Sequence, residues 1–115
     1  MDFSKEYIKM CKKAKKIQKG HNADYGDCYY DCEDSYTGFV GDTKLFTSTD
    51  SVWLPRQDQL QEMVIGSDDT ITLTEYFLNT VSLYFNRKLS MEQLWLMYVM
   101  KKKYSKQWDS KKWKK

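Results

Sequence analysis

Residues 90–104 read Ser90-Met91-Glu92-Gln93-Leu94-Trp95-Leu96-Met97-Tyr98-Val99-Met100-Lys101-Lys102-Lys103-Tyr104. From Leu94 to Met100 the side chains are all apolar or aromatic. A helix with no polar face is one that protein covers on every side, so this stretch predicts a central, buried helix. Its start is marked by Ser90, a residue type that caps free first-turn amides. Gln93 stands three positions on, as in a capping box, and Leu89 is placed to staple against Leu94. Its end is marked by Lys101, Lys102 and Lys103, where positive charge meets the negative end of the helix dipole.

Working outward, Thr72 and Glu75 read as a second capping box. It opens a helix over residues 73–86 with Leu73, Tyr76, Phe77, Val81, Tyr84 and Phe85 as its apolar stripe. Pro55 suits the first turn of a short helix over residues 56–65, whose Leu60, Met63 and Val64 face inward and which Gly66 stops. Residues 68–70 form a polar connection, and Asn86, Arg87 and Lys88 turn into the central helix. At the amino terminus, Phe3, Tyr7, Cys11, Ala14 and Ile17 recur at helical spacing opposite Lys5, Lys9, Lys12, Lys13 and Lys16, predicting one amphipathic helix over residues 4–19 that Gly20 ends.

Between these helices, short alternating runs predict strands at 27–32, 37–40 and 45–47 and a last one reaching Trp53, with turns at 33–36 and 40–44. Cys28, Tyr30 and Cys32 would share one face of the first strand; Tyr29, Asp31 and Glu33 would share the other and face solvent. Residues 105–115 read as a basic tail carrying Trp108 and Trp113. The expected fold class is α+β: about four helices around the buried helix at 90–104, with a small antiparallel sheet inserted between helices one and two. At 115 residues, one domain (1–115) is expected.

With 41% hydrophobic and 30% charged residues, the chain has too much apolar mass for wholesale disorder. No stretch approaches the ~20 apolar residues that span a bilayer, so no membrane partner is expected. Three cysteines without a disulfide framework point to a reducing, cytoplasmic setting. The net charge of +3 hides a strong pattern: residues 1–20 hold seven lysines against two acids, residues 21–86 twelve acids against Lys44 and Arg56, and residues 87–115 ten basic groups against two acids. Separate positive and negative surfaces would steer different partners.

No metal or cofactor is expected. Cys28 and Cys32, with His21 and Cys11, have the residue types of a zinc site. On a strand, however, four residues span roughly 13 Å at ~3.3 Å each, too far for sulfurs that must each lie ~2.3 Å from one ion; only a tight turn there would restore the site. Asp24, Asp27, Asp31, Glu33 and Asp34 lack the alternation and central glycine of a calcium loop. His21 has no serine, cysteine or acid in a recognised relation to it and reads as a surface residue, so no catalytic group is assigned and no enzyme is expected.

Two candidate binding surfaces remain. One is the acidic, tyrosine-rich hairpin of Asp27, Tyr29, Asp31, Glu33, Asp34 and Tyr36, which could meet a basic protein groove or imitate a phosphate backbone. The other is the basic set Lys101, Lys102, Lys103, Lys106, Trp108, Lys111, Lys112 and Trp113, together with the lysines of helix one. There, ammonium groups would neutralise phosphates and aromatic faces would stack on bases.

The run Trp53-Leu54-Pro55-Arg56-Gln57-Asp58-Gln59-Leu60-Gln61-Glu62-Met63, the run from Glu92 to Tyr104, the Trp108-Asp109 turn with a second tryptophan at Trp113, and Met10-Cys11-Lys12-Lys13-Ala14 with Ile17-Gln18 lie along most of the chain. In these it resembles a group of small proteins carried by phages and prophages of Gram-positive bacteria. The resemblance implies a life in the cytoplasm of an infected cell and brings no catalytic residues with it. The expected function is then a non-enzymatic accessory protein that binds and blocks a host macromolecule. Its concrete form is a counter-defence, anti-CRISPR-like inhibitor whose hairpin docks on a host nucleic-acid-processing enzyme. The alternative is a nucleic-acid-binding accessory protein using the basic termini. The sequence leaves the oligomeric state open.

Overall fold

The computed structural model describes residues 1–33, 35–41, 51–66, 69–82 and 88–115. Its helices are α1 (Lys5–Lys13), α2 (Lys15–Lys19), α3 (Gln57–Ile65), α4 (Thr70–Val81) and α5 (Met91–Tyr104), and its strands are β1 (Cys28–Asp31), β2 (Tyr36–Phe39), β3 (Ser51–Leu54), β4 (Gln107–Trp108) and β5 (Trp113–Lys114). This α+β arrangement corrects the expected one. There are five helices among the described residues rather than about four, and the larger sheet follows the second helix instead of separating it from the first. The expected strand at 45–47, Asp34, and the end of the expected third helix with Tyr84 and Phe85 lie outside the described residues.

The cause of the correction is a break at Ala14. Its backbone (φ −83°, ψ 66°) leaves the helical region, and its N–H is shared between the Met10 and Cys11 carbonyls. Neither glycine nor proline marks the site. What holds the redirected turn is tertiary: the Gln18 side chain donates from Nε2 to the Trp53 carbonyl and accepts from the Trp53 N–H, each at 2.8 Å. The sheet order is β2-β1-β3, so β3 is an edge strand, and the Gln18 amide occupies the ladder positions a further strand would take.

The chain divides into two compact units, residues 3–55 and residues 56–115 with Met1 and Asp2. In the first, antiparallel β1 pairs Cys28 with Phe39 and Leu54, and Asp31 with Tyr36 and Ser51. One face of this sheet carries Cys28 and Leu54 under α1, whose Tyr7, Met10 and Cys11 are buried. The Tyr7 hydroxyl donates to the Pro55 carbonyl at 2.6 Å.

In the second unit α5 is the core. Every residue from Gln93 to Met100 is buried, and α3 and α4 pack on it. Ser90 Oγ accepts from the Gln93 N–H at 3.0 Å and donates to an Asp2 carboxylate oxygen at 2.6 Å. Trp95 Nε1 has no hydrogen-bond partner among the described residues. Its ring supplies the contacts instead, stacked on Phe77 at 3.9 Å and edge-on to Tyr98 at 5.7 Å.

One further expectation is corrected in this unit. α4 begins at Thr70 because Asp69, not Thr72, is its cap, accepting from the Thr72 N–H at 2.7 Å. The basic tail is an ordered hairpin: β4 and β5 pair Trp108 with Trp113, which are 7% and 8% exposed with ring centroids 5.0 Å apart. Asp109 makes the turn by accepting from the Lys111 and Lys112 N–H groups.

Candidate binding groove

In the amino-terminal unit, the lysine face of α1 and the end of the β1–β2 hairpin enclose an open groove of about 960 Å³. Lys5, Lys9, Lys12 and Lys13 from α1 and Lys15 from α2 line it, with Phe3 and Ile8 between them. The opposite wall is Tyr30 of β1, its register partner Thr37 of β2, and Cys32 and Ser35 of the connecting turn. The turn closes through Asp31, whose side chain accepts from the Glu33 N–H at 2.9 Å, and through Ser35 in the left-handed region at φ 52°. The five lysines are exposed, whereas Ile8, Tyr30, Cys32 and Thr37 are half-buried. That combination attracts an anion that also carries flat, apolar surface.

The acidic hairpin is placed differently from its expected form. Asp27 is 2% exposed and points inward, where its Oδ2 lies 2.6 Å from His21 Nε2 and accepts from the Asp24 N–H at 2.8 Å. Backbone bonds from the Gly26 N–H to the Val40 carbonyl and from the Val40 N–H to the Asp27 carbonyl close the sheet over it. Its partner His21 is therefore no free surface residue; its ring stacks on Trp53 at 3.5 Å and 4°.

Tyr29, expected to face solvent, is 9% exposed, opposite Trp53 in the ladder. Burial, and then the negative Asp27 nearby, push its phenol above the ordinary tyrosine value. Of the remaining hairpin positions, Asp31 is half-buried while Glu33 and Tyr36 are exposed at the turn end, and Tyr25 and Phe39 are exposed at the other end of the ladder.

The carboxyl-terminal basic set is brought to one end of α5 and its following hairpin, but only in part as a stacking surface. Lys101, Lys102, Lys103, Lys111 and Lys112 are exposed and Lys106 is half-buried, whereas Trp108 and Trp113 are turned inward. Lys102 Nζ lies 5.3 Å from the Tyr76 ring centroid and Lys103 Nζ 5.9 Å from that of Tyr104, so two of these charges already sit over aromatic faces of their own unit.

Cys28 is buried in the sheet and Cys32 falls in the turn after β1. Among the described residues no three histidine, cysteine or acidic side chains cluster as metal ligands, and no helix is long and apolar enough to cross a membrane. No family model, curated protein or solved structure matches the chain.

The groove residues Phe3, Tyr30, Cys32, Ser35 and Thr37 were not identifiable as a site beforehand. The lysine stripe of helix one was visible, but nothing local in the sequence says that a hairpin wall stands across from it.

Proposed function

We propose that this protein is a non-enzymatic accessory protein that binds nucleic acid through the lysine-lined groove of its amino-terminal unit. The setting is the one its resemblance implies, the cytoplasm of a phage-infected bacterium. The observation that carries the reading is the convergence of five lysines on a recess of about 960 Å³ with aromatic and apolar walls. Phosphates release counterions on meeting such a rim, which gives binding that weakens steeply with salt. The inward turn of Asp27 and Tyr29 takes two of six positions from the competing acidic surface, and the inward turn of Trp108 and Trp113 takes the stacking faces from the carboxyl-terminal set.

The test is filter binding of mixed-sequence DNA and RNA to the whole chain across a salt series. Lys12→Glu with Lys13→Glu should abolish binding, and Lys111→Glu with Lys112→Glu should leave most of it. Absence of binding to either nucleic acid at low salt would refute the reading.

A second reading is favoured by the exposed Tyr36, which opens β2 just after the turn that carries the exposed Glu33. This is the inhibitor role, with the hairpin docking on the basic groove of a host nucleic-acid-processing enzyme. Amphipathic aromatic rings offer contact area at low entropic cost. Glu33→Lys combined with Tyr36→Ala should relieve inhibition of such an enzyme without lowering the melting temperature; undiminished inhibition would remove this surface.

A further inference from the structure

The two walls of the groove differ in what they can recognise. On the α1 side, Lys5 and Lys13 stand eight residues apart, about 12 Å along the helix axis at 1.5 Å per residue. This is a row of charge long enough for a short run of phosphates. On the hairpin side the recognising group is a ring: Tyr30, half-buried on β1 with Thr37 opposite it. Phe3, exposed at the mouth, is itself positioned edge-on to Phe39, with ring centroids 6.3 Å apart.

A duplex can use the first wall but not the second. Its phosphates lie outside and its base faces are hidden in the stack, so a tyrosine ring on the facing wall gains nothing from it. Unstacked bases present a π-face to any ring they meet, and rows of lysine beside aromatic side chains are how single strands are held without sequence preference.

We infer that the groove is a single-strand site, in which Lys5, Lys12 and Lys13 neutralise successive phosphates while a base stacks on Tyr30. This rests on the nucleic-acid reading above and narrows it to one substrate class. Double-stranded nucleic acid would meet only the lysine rim and bind more weakly.

The experiment is fluorescence anisotropy of the whole chain with a labelled oligothymidylate and, separately, with a labelled duplex of the same length, each over a salt series. The single strand should bind more tightly. The slope of log affinity against log salt should be about −0.7 per phosphate contacted, becoming shallower by about that amount for each of Lys5→Gln, Lys12→Gln and Lys13→Gln. Tyr30→Leu should weaken single-strand binding by about tenfold with the slope unchanged, and Tyr30→Phe should restore it. Thermal melts of both variants separate lost stacking from lost folding.

Equal or tighter binding of the duplex, or a Tyr30→Leu variant that melts normally and binds as before, would overturn the single-strand assignment while leaving nucleic-acid binding intact. If neither probe binds, both readings fall together.

Discussion

The two compact units are held by different kinds of interaction. The unit around α5 rests on contiguous apolar burial, a run of side chains from Leu94 to Met100 with α3 and α4 laid on it. The unit of residues 3–55 is tied, among its described residues, by polar bonds between distant groups: Gln18 with both backbone groups of Trp53, Tyr7 with Pro55, and His21 with Asp27. Apolar burial is non-directional and tolerates small shifts. Buried polar pairs contribute little net stability when made, but cost the full desolvation of the orphaned partner when one side is lost. The first unit should therefore respond to lost volume and the second to lost hydrogen-bonding groups.

The largest effect expected on this contrast is in α5. Trp95→Ala removes a ring stacked on Phe77 and edge-on to Tyr98 and should cost about 3–5 kcal/mol in urea unfolding. A variant with unchanged melting would show that α5 is not the core of its unit.

Next is Gln18→Ala, which deletes no core volume yet strips the Trp53 N–H and carbonyl of the partners they have at 2.8 Å. A loss of about 1–3 kcal/mol is expected, with faster amide exchange at Trp53. If exchange there does not change, water replaces the side chain at no cost and the contrast between the units weakens.

Ser90→Ala sharpens the comparison from the other side, since α5 has its own polar anchor in the Ser90 hydroxyl. Loss of a cap of this type costs about 1 kcal/mol, well below the Trp95 effect if burial dominates.

The smallest effect is at Asp69, whose carboxyl is held below the ordinary carboxylate range chiefly by the backbone N–H of Thr72. A group with a lowered folded value stabilises above its unfolded value and loses that contribution as pH falls through the folded one. Asp69→Asn should therefore melt slightly below the parent near neutral pH and converge with it in acid. A difference that persists at the acid end would mean that the charge plays no part.

What was legible in the sequence follows the same division. α5, its Ser90–Gln93 capping box and its lysine terminus could be read because each signal lies within a few residues of the group it acts on. Asp69 was missed as a cap because Thr72, three residues on, fits the same role locally, and only the backbone decides between them. The Ala14 break could not be read, since its stabilising bond joins residues 35 positions apart.

Asp27 and Tyr29 were misplaced for a related reason. An Asp before a strand looks solvated unless His21 is known to turn back toward it, and alternation alone does not say that Trp53 lies beside Tyr29. Of the groove, the sequence displayed one wall as a stripe of lysines; the facing wall depends on strand pairing across a turn. Trp108 and Trp113 were seen, but two-residue strands carry too little pattern to mark a hairpin.

The hydrogen bond between Ser90 and Asp2 bears on vectorial synthesis. Domains generally fold as units while the chain is being made, the amino-terminal one first. Residues 3–55 are contiguous and can close their sheet as soon as β3 has left the ribosome. The bond between Asp2 and Ser90, by contrast, must wait until a residue 88 positions later has been translated. The bond that joins Asp2 to the cap of α5 would thus be among the last contacts to form.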